Sequence, residues 1–204
     1  MTAPQALLVC FVLGAAAGAL LDRVATNVIA STSPPGRRTL VSTGVMAVAA
    51  PALASVACSS AQLGCDLALV SVLLAASLTD LASRRIPNLL TGFGLTAILS
   101  LTALFQPELV TQRLLFALLS FTLFLAAALL RPGALGLGDV KLAAVIGAAL
   151  GALALPAVTV ALVGAAFTGV AIAIRSGLAQ ARVATLPLAP FLAGGVGVTL
   201  LFAG

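Results

Sequence analysis

The stretch Leu67-Ala-Leu-Val-Ser-Val-Leu-Leu-Ala-Ala-Ser-Leu-Thr79-Asp80-Leu-Ala-Ser-Arg84-Arg85-Ile86-Pro87-Asn88 carries the reading of the fold. Its apolar run from Leu67 to Thr79 has only thirteen residues, short of the roughly 20 a helix needs to cross a bilayer. A crossing helix must therefore continue through Asp80 to about Arg84, where the basic pair Arg84 and Arg85 marks a membrane surface. Asp80 then sits about 6 Å, one helical turn, inside that surface. An ionisable side chain at such a depth is costly unless it faces protein or water, and reads as functional by default.

The whole chain shares this character. Of 204 residues, 62% are hydrophobic and 7% charged, against roughly 25% charged in an average soluble protein. Fifteen charges cannot clothe a soluble globule of this size, whereas a chain dissolved in lipid needs few. The composition also excludes disorder. Eight spans of about 20 residues would use roughly 160 and leave about five for each connection or tail, so eight is near the ceiling. No stretch is long or polar enough for a soluble domain. The expected architecture is an all-α polytopic membrane helix bundle of about eight transmembrane helices, a single integral membrane domain over residues 1–204.

Apolar runs broken by polar or proline-rich punctuation place the spans at about Ala6 to Leu21, Leu40 to Ala57, Leu67 to Ser83, Leu89 to Phe105, Leu109 to Leu130, Val140 to Leu155, Pro156 to Ile174 and Pro187 to Phe202. No charge precedes the first run, so it reads as a retained span rather than a cleaved signal peptide. At Pro156 two short runs abut with no charge between them, and one long tilted helix is the competing reading. With the N-terminus outside, the odd connections carry Arg23, Arg37, Arg38, Arg84, Arg85, Arg131, Lys141, Arg175 and Arg182. Nine of ten positive charges then share one face, with only Arg113 near the other. The positive-inside rule makes that face cytoplasmic and both termini external, provided that the chain turns at Pro156. The basic excess reads as topology charges facing anionic lipid, with no nucleic-acid partner implied.

With no histidine in the chain, Ser-His-Asp and Cys-His nucleophiles, haem-type His ligation and His-containing zinc sites are excluded. Cys10, Cys58 and Cys65 lack C-x-x-C spacing and read as small apolar residues, with a Cys58–Cys65 disulfide left open. Among the five acids, Glu108 and Asp66 fall in expected outer connections and Asp22 adjoins Arg23; all three read as solvated boundary residues. Asp80 and Asp139 differ. Asp139 ends the glycine-rich Arg131-Pro-Gly-Ala-Leu-Gly-Leu-Gly-Asp139 and is followed by Val140 and Lys141. Gly133, Gly136 and Gly138 allow φ > 0 and close backbone approach, as a loop presenting a carboxylate at membrane depth requires. Both aspartates fall at cytoplasmic helix ends, where they can meet. Two acids held close cannot both ionise cheaply, so one keeps a proton and polarises a carbonyl while the other activates water. That aspartic-peptidase chemistry needs no histidine, metal or cofactor.

Gly136-Leu-Gly138-Asp139 resembles the G-x-G-D signature of intramembrane aspartyl proteases, and Asp139-Val-Lys141-Leu resembles its extension in the type IV prepilin peptidases. Asp80-Leu-Ala-Ser-Arg-Arg-Ile86-Pro87-Asn88 is similar to the other half of that family's site, an aspartate six residues before I-P-N. Pro187-Leu-Ala-Pro-Phe191 is a fainter match to a proline-containing segment. The resemblance spans about Leu67 to Gly195, a peptidase motif-bearing region over 67–195. It implies Asp80 and Asp139 as the catalytic pair and Gly136, Gly138, Lys141, Ile86, Pro87 and Asn88 as residues that shape the motif loops. Lys141 reads first as a topology charge, and otherwise as a residue orienting the loop or stabilising one ionised aspartate. Ile86-Pro87-Asn88 reads as a helix end followed by a helix start, with Asn88 available as its cap. The resemblance further implies a pilin-like precursor as substrate, its short basic leader cleaved at the cytoplasmic face of a bacterial or archaeal plasma membrane. Bifunctional members carry paired C-x-x-C motifs in a large loop after the first span and methylate the new terminus using S-adenosylmethionine. Here only Ser31 to Thr39 occupies that place, giving a short form without the methyltransferase loop. Presenilin-like members have Tyr-Asp at the first aspartate and a P-A-L motif, where this chain has Thr79-Asp80 and Leu186-Pro-Leu.

Two readings from other classes compete. A small transporter or proton-conducting bundle could use the same aspartates for cations or protons, with Gly and Pro inside its spans. It has no evident need for I-P-N six residues after the first aspartate. A scaffold with many small residues for close helix packing would explain the Ala and Gly content, but not two acids at one depth.

Overall fold

A computed structural model describes residues 60–130, 135–176 and 186–203. The expected spans Ala6–Leu21 and Leu40–Ala57 lie outside the described residues, as do Cys10, Cys58, Arg131, Gly133 and Arg182. Every described element is helical: α1 Ser60–Ser83, α2 Asn88–Phe105, α3 Val110–Leu130, α4 Leu137–Leu150, α5 Ala154–Ser176 and α6 Ala189–Ala203, with short 3₁₀ turns at Pro107–Leu109 and Gly151–Leu153. Among the described residues, four stretches are long and apolar enough to cross a membrane: Gln62–Leu81, Asn88–Phe105, Pro107–Leu130 and Leu137–Arg175. Their outer faces are unsuited to water. Leu89, Phe93, Leu104, Leu130, Phe167 and Ile174 are each at least 70% exposed, a surface suited to an apolar environment such as lipid.

The breaks follow from local chemistry. Helix α1 runs through Asp80 as the sequence requires and ends at Arg84, which adopts a left-handed φ of 51°. Its N–H donates to Asp80 O at 2.9 Å, an αL cap of the kind glycine usually provides. Pro87 bars Ile86 from helical geometry, and α2 restarts immediately after it. The expected turn at Pro156 lies earlier, at Gly151, where φ is +58°. Pro156 falls in the first turn of α5, where its missing N–H would have no helical partner, so it fits without breaking the chain.

Named contacts fix the helix directions. Cys65 meets Thr102, so α1 and α2 are antiparallel with α1 ending where α2 begins. Asn88 meets Lys141 and Gly94 lies against Val145, so α2 and α4 run the same way. Gly147 packs on Phe116 and Ser120 while Ala149, further along α4, meets Arg113, earlier in α3, making α3 and α4 antiparallel. Asp80 meets Ala189 at the start of α6, while Gly195 packs on Ala157 and Ala161 and Gly164 on Phe191, making α5 and α6 antiparallel. Consequently α4 and α5 point in opposite directions across Gly151. The 39-residue stretch Leu137–Arg175, about twice the length needed to cross, is a hairpin rather than one tilted helix. Of the five basic residues described, Arg84, Arg85, Lys141 and Arg175 gather at the end of the bundle holding Asp80, and Arg113 lies at the other.

Helix α4 is the centre. Apart from Lys141, every residue from Val140 to Ala149 is buried, packed by Leu69, Leu73, Ile98 and Ala117 among others. Its fourteen residues span about 21 Å, less than a bilayer core, so its ends must find partners inside the protein. At its C-terminal end Arg113 Nη1 donates to Ala149 O at 2.6 Å and to Ala148 O at 3.3 Å, while Nη2 reaches Gln106 Oε1 at 3.3 Å. Those carbonyls would otherwise be orphaned.

The expectation for Asp66 is corrected here. Rather than lying in a solvated connection, it sits in the second turn of α1, 4% exposed and within electrostatic reach of Arg113. Helix α1 begins seven residues before Leu67 and carries Asp66 inward to where the positive field of Arg113 offsets part of the cost of its burial. Glu108 is exposed in the 3₁₀ turn, as read. Cys65 is a buried free thiol.

Candidate active site

Asp80 lies in the last turn of α1 and Asp139 in the first turn of α4. Both line one cavity of about 290 Å³, together with Arg84, Arg85, Ile86, Gly136, Leu137 and Gly138. A single water needs only about 10–15 Å³, so the cavity has room for several. The structure thus brings the two halves of the expected site, from distant parts of the chain, onto one wall-to-wall space.

Each carboxylate has one arm engaged. Asp80 is 8% exposed, and its Oδ2 accepts a hydrogen bond from the backbone N–H of Ala189 at 3.2 Å. Ala189 opens α6, so this donor is one of the helix N-terminal N–H groups that lack an intrahelical partner and favour negative charge. Asp139 Oδ2 accepts from Gly136 N–H at 3.3 Å, closing the turn that starts α4. Asp139 Oδ1 is buried without a hydrogen-bond partner, an expensive state for a carboxylate oxygen unless a proton, water or substrate completes it.

The glycines serve approach rather than unusual φ. Gly136 has φ −78° and Gly138 lies within α4, which corrects the expectation of left-handed backbone in the motif; Gly133 lies outside the described residues. A Cβ on Gly138 would come within 2.9 Å of Ile86 Cβ, so the absence of a side chain lets the two motif segments touch. Asn88 is also corrected. Pro87 holds the N-cap position of α2 with no side-chain cap bond, and the Asn88 side chain instead accepts from Lys141 Nζ at 2.7 Å.

Ala189 was not anticipated as a site residue. Its contribution is a backbone N–H, which no side-chain pattern announces; the available signal was Pro187 and Pro190 flanking a helix start.

Family comparison matches the type IV leader peptidase family over residues 67–174, more than half of the chain and inclusive of both aspartates. No curated protein and no solved structure matched the chain. Apolar helices of crossing length and membership of a peptidase family together describe a membrane peptidase. This chain belongs to the type IV leader peptidase family.

Proposed function

We propose that the protein is an intramembrane aspartic endopeptidase that removes the short basic leader from type IV pilin-like precursors, with Asp80 and Asp139 as its catalytic pair. The observation that carries this reading is the shared cavity: the two aspartates line it from different helices. One carboxyl, protonated, donates to the scissile carbonyl oxygen. The other, ionised, takes a proton from water as its oxygen attacks the carbonyl carbon. The tetrahedral intermediate then collapses, the C–N bond breaks, and the leaving nitrogen receives a proton from the acid form. A free carboxyl on the leader and a free amine on the mature chain result.

Four of the five described basic residues lie at the site end, which supports a cytoplasmic placement by the positive-inside rule. A precursor whose basic leader is retained on that side, with its apolar helix in lipid, presents its junction at the same depth. Family membership favours a peptidase over the cation- or proton-conducting alternative. The test is incubation of protein-containing vesicles with a pilin-like precursor. The expected product has lost its leader and begins immediately before the apolar helix; an uncut precursor, or cleavage elsewhere, counts against the proposal.

A further inference from the structure

The Arg85-Ile86-Pro87-Asn88 segment and the Gly136-to-Lys141 segment touch at two points, one between cavity-lining residues and one just beyond them. Ile86 lies against the backbone of Gly138, where an added Cβ would meet it at 2.9 Å. Asn88 Oδ1 accepts from Lys141 Nζ at 2.7 Å. Lys141 follows Asp139 by two residues in the same helical turn, and Asn88 opens α2 just beyond the short connection from Asp80. Each contact therefore ties a residue beside one aspartate to a segment leading from the other. Asp139 needs such support. Its Oδ1 has no partner, and its one hydrogen bond is internal to its own turn. Nothing in that turn alone fixes its position relative to Asp80.

We infer that Asn88 and Lys141 are a positioning pair which, with Ile86 seated on Gly138, docks the two motif segments and sets the separation of Asp80 from Asp139. Neither touches the reacting atoms. The cationic ammonium suits the role because its hydrogen bond to the amide oxygen is charge-assisted, and the four-carbon stem reaches from one segment to the other. The inference rests on the proposed aspartic chemistry for its catalytic consequence, but the docking itself is independent of that reading.

Two measurements separate them. In a cysteine-free background, Arg85→Cys and Leu137→Cys, both on the cavity wall, are joined by a short bifunctional maleimide. Adding Asn88→Ala and Lys141→Met is expected to lower the cross-linking yield severalfold; equal yields, or no cross-link before those changes, overturn the docking. In leader-removal assays, Asn88→Ala and Lys141→Met are each expected to lower kcat about fivefold with KM little changed, the size expected of one exposed charge-assisted hydrogen bond. The double variant should be no worse than either single one. Asn88→Asp, which keeps the acceptor, should restore kcat. Full kcat in the single variants, or additive losses, overturn the positioning role. Full activity of Asp80→Asn or Asp139→Asn instead overturns the proposed function, leaving the cross-linking result to judge the pair.

Discussion

The backbone N–H of Ala189 donates to Asp80 Oδ2 at 3.2 Å, joining the start of the last helix to the end of the first described one. Ala189→Pro removes this donor at a helix-opening position, where proline is otherwise tolerated. Ala189→Gly keeps it. Leader removal is expected to fall by about tenfold or more in the proline variant and to stay within about threefold of the parent in the glycine variant, as fits loss of one hydrogen bond to a charged group. Equal activities would detach Ala189 from the site.

Gly138→Ala places a methyl group against Ile86 Cβ, and neither backbone-anchored atom can swing aside. The motif segments must separate, and leader removal is expected to drop by about tenfold or more, as a shift near 1 Å at reacting groups can cost far more than that. Gly92→Ala, on the same end of the bundle with nothing within 4 Å of its added Cβ, is the control and should leave the rate unchanged.

Arg84 holds a left-handed φ of 51°. Arg84→Gly and Arg84→Ala lose the same side chain and differ only in how they tolerate that backbone. The glycine variant is expected to be the more stable by about 1 kcal/mol in thermal unfolding in detergent. Equal melting would mean that the chain relaxes out of this conformation.

Arg113 binds the terminal carbonyls of α4 and lies within electrostatic reach of buried Asp66. Arg113→Met is expected to destabilise the bundle by roughly 3 kcal/mol, leaving carbonyls unpaired and a carboxylate uncompensated. Adding Asp66→Asn should recover part of the loss, because no isolated charge then remains. Detergent melts of the three variants check this; an additive further loss would show that the two side chains act separately.

For orientation, Arg85→Cys at the site end and Glu108→Cys at the far end, each in a cysteine-free background, should react with an impermeant thiol reagent from opposite sides. Arg85→Cys is expected to label only after permeabilisation. Labelling of both from one side would contradict the assigned directions of α1 and α2.

Charge is so expensive in these spans that Asp80 and Asp139 stand out in the sequence, and the structure places both on one cavity. Most bounds of the described helices are legible to within a few residues for a related reason: proline, arginine and the ends of apolar runs are strong local signals. What depends on tertiary partners is not legible. Asp66 reads as a boundary residue in sequence because its burial depends on packing by other helices and on the field of Arg113, far along the chain. Asn88 looked like a helix cap because local chemistry allows it, and Lys141 claims its oxygen instead. The hairpin corner went to Pro156 rather than Gly151 because proline is the stronger generic breaker, yet it is harmless in a first turn. Ala189 has no chemical signature in sequence at all.

The most direct measurement of the central claim is leader removal by Asp80→Asn and by Asp139→Asn, each alone and then together, with folding checked by detergent melting. Because the pair acts as a unit, each single variant should be as inactive as the double one. Full cleavage by either single variant, at the parent's junction, would contradict the assignment of Asp80 and Asp139 as the catalytic pair.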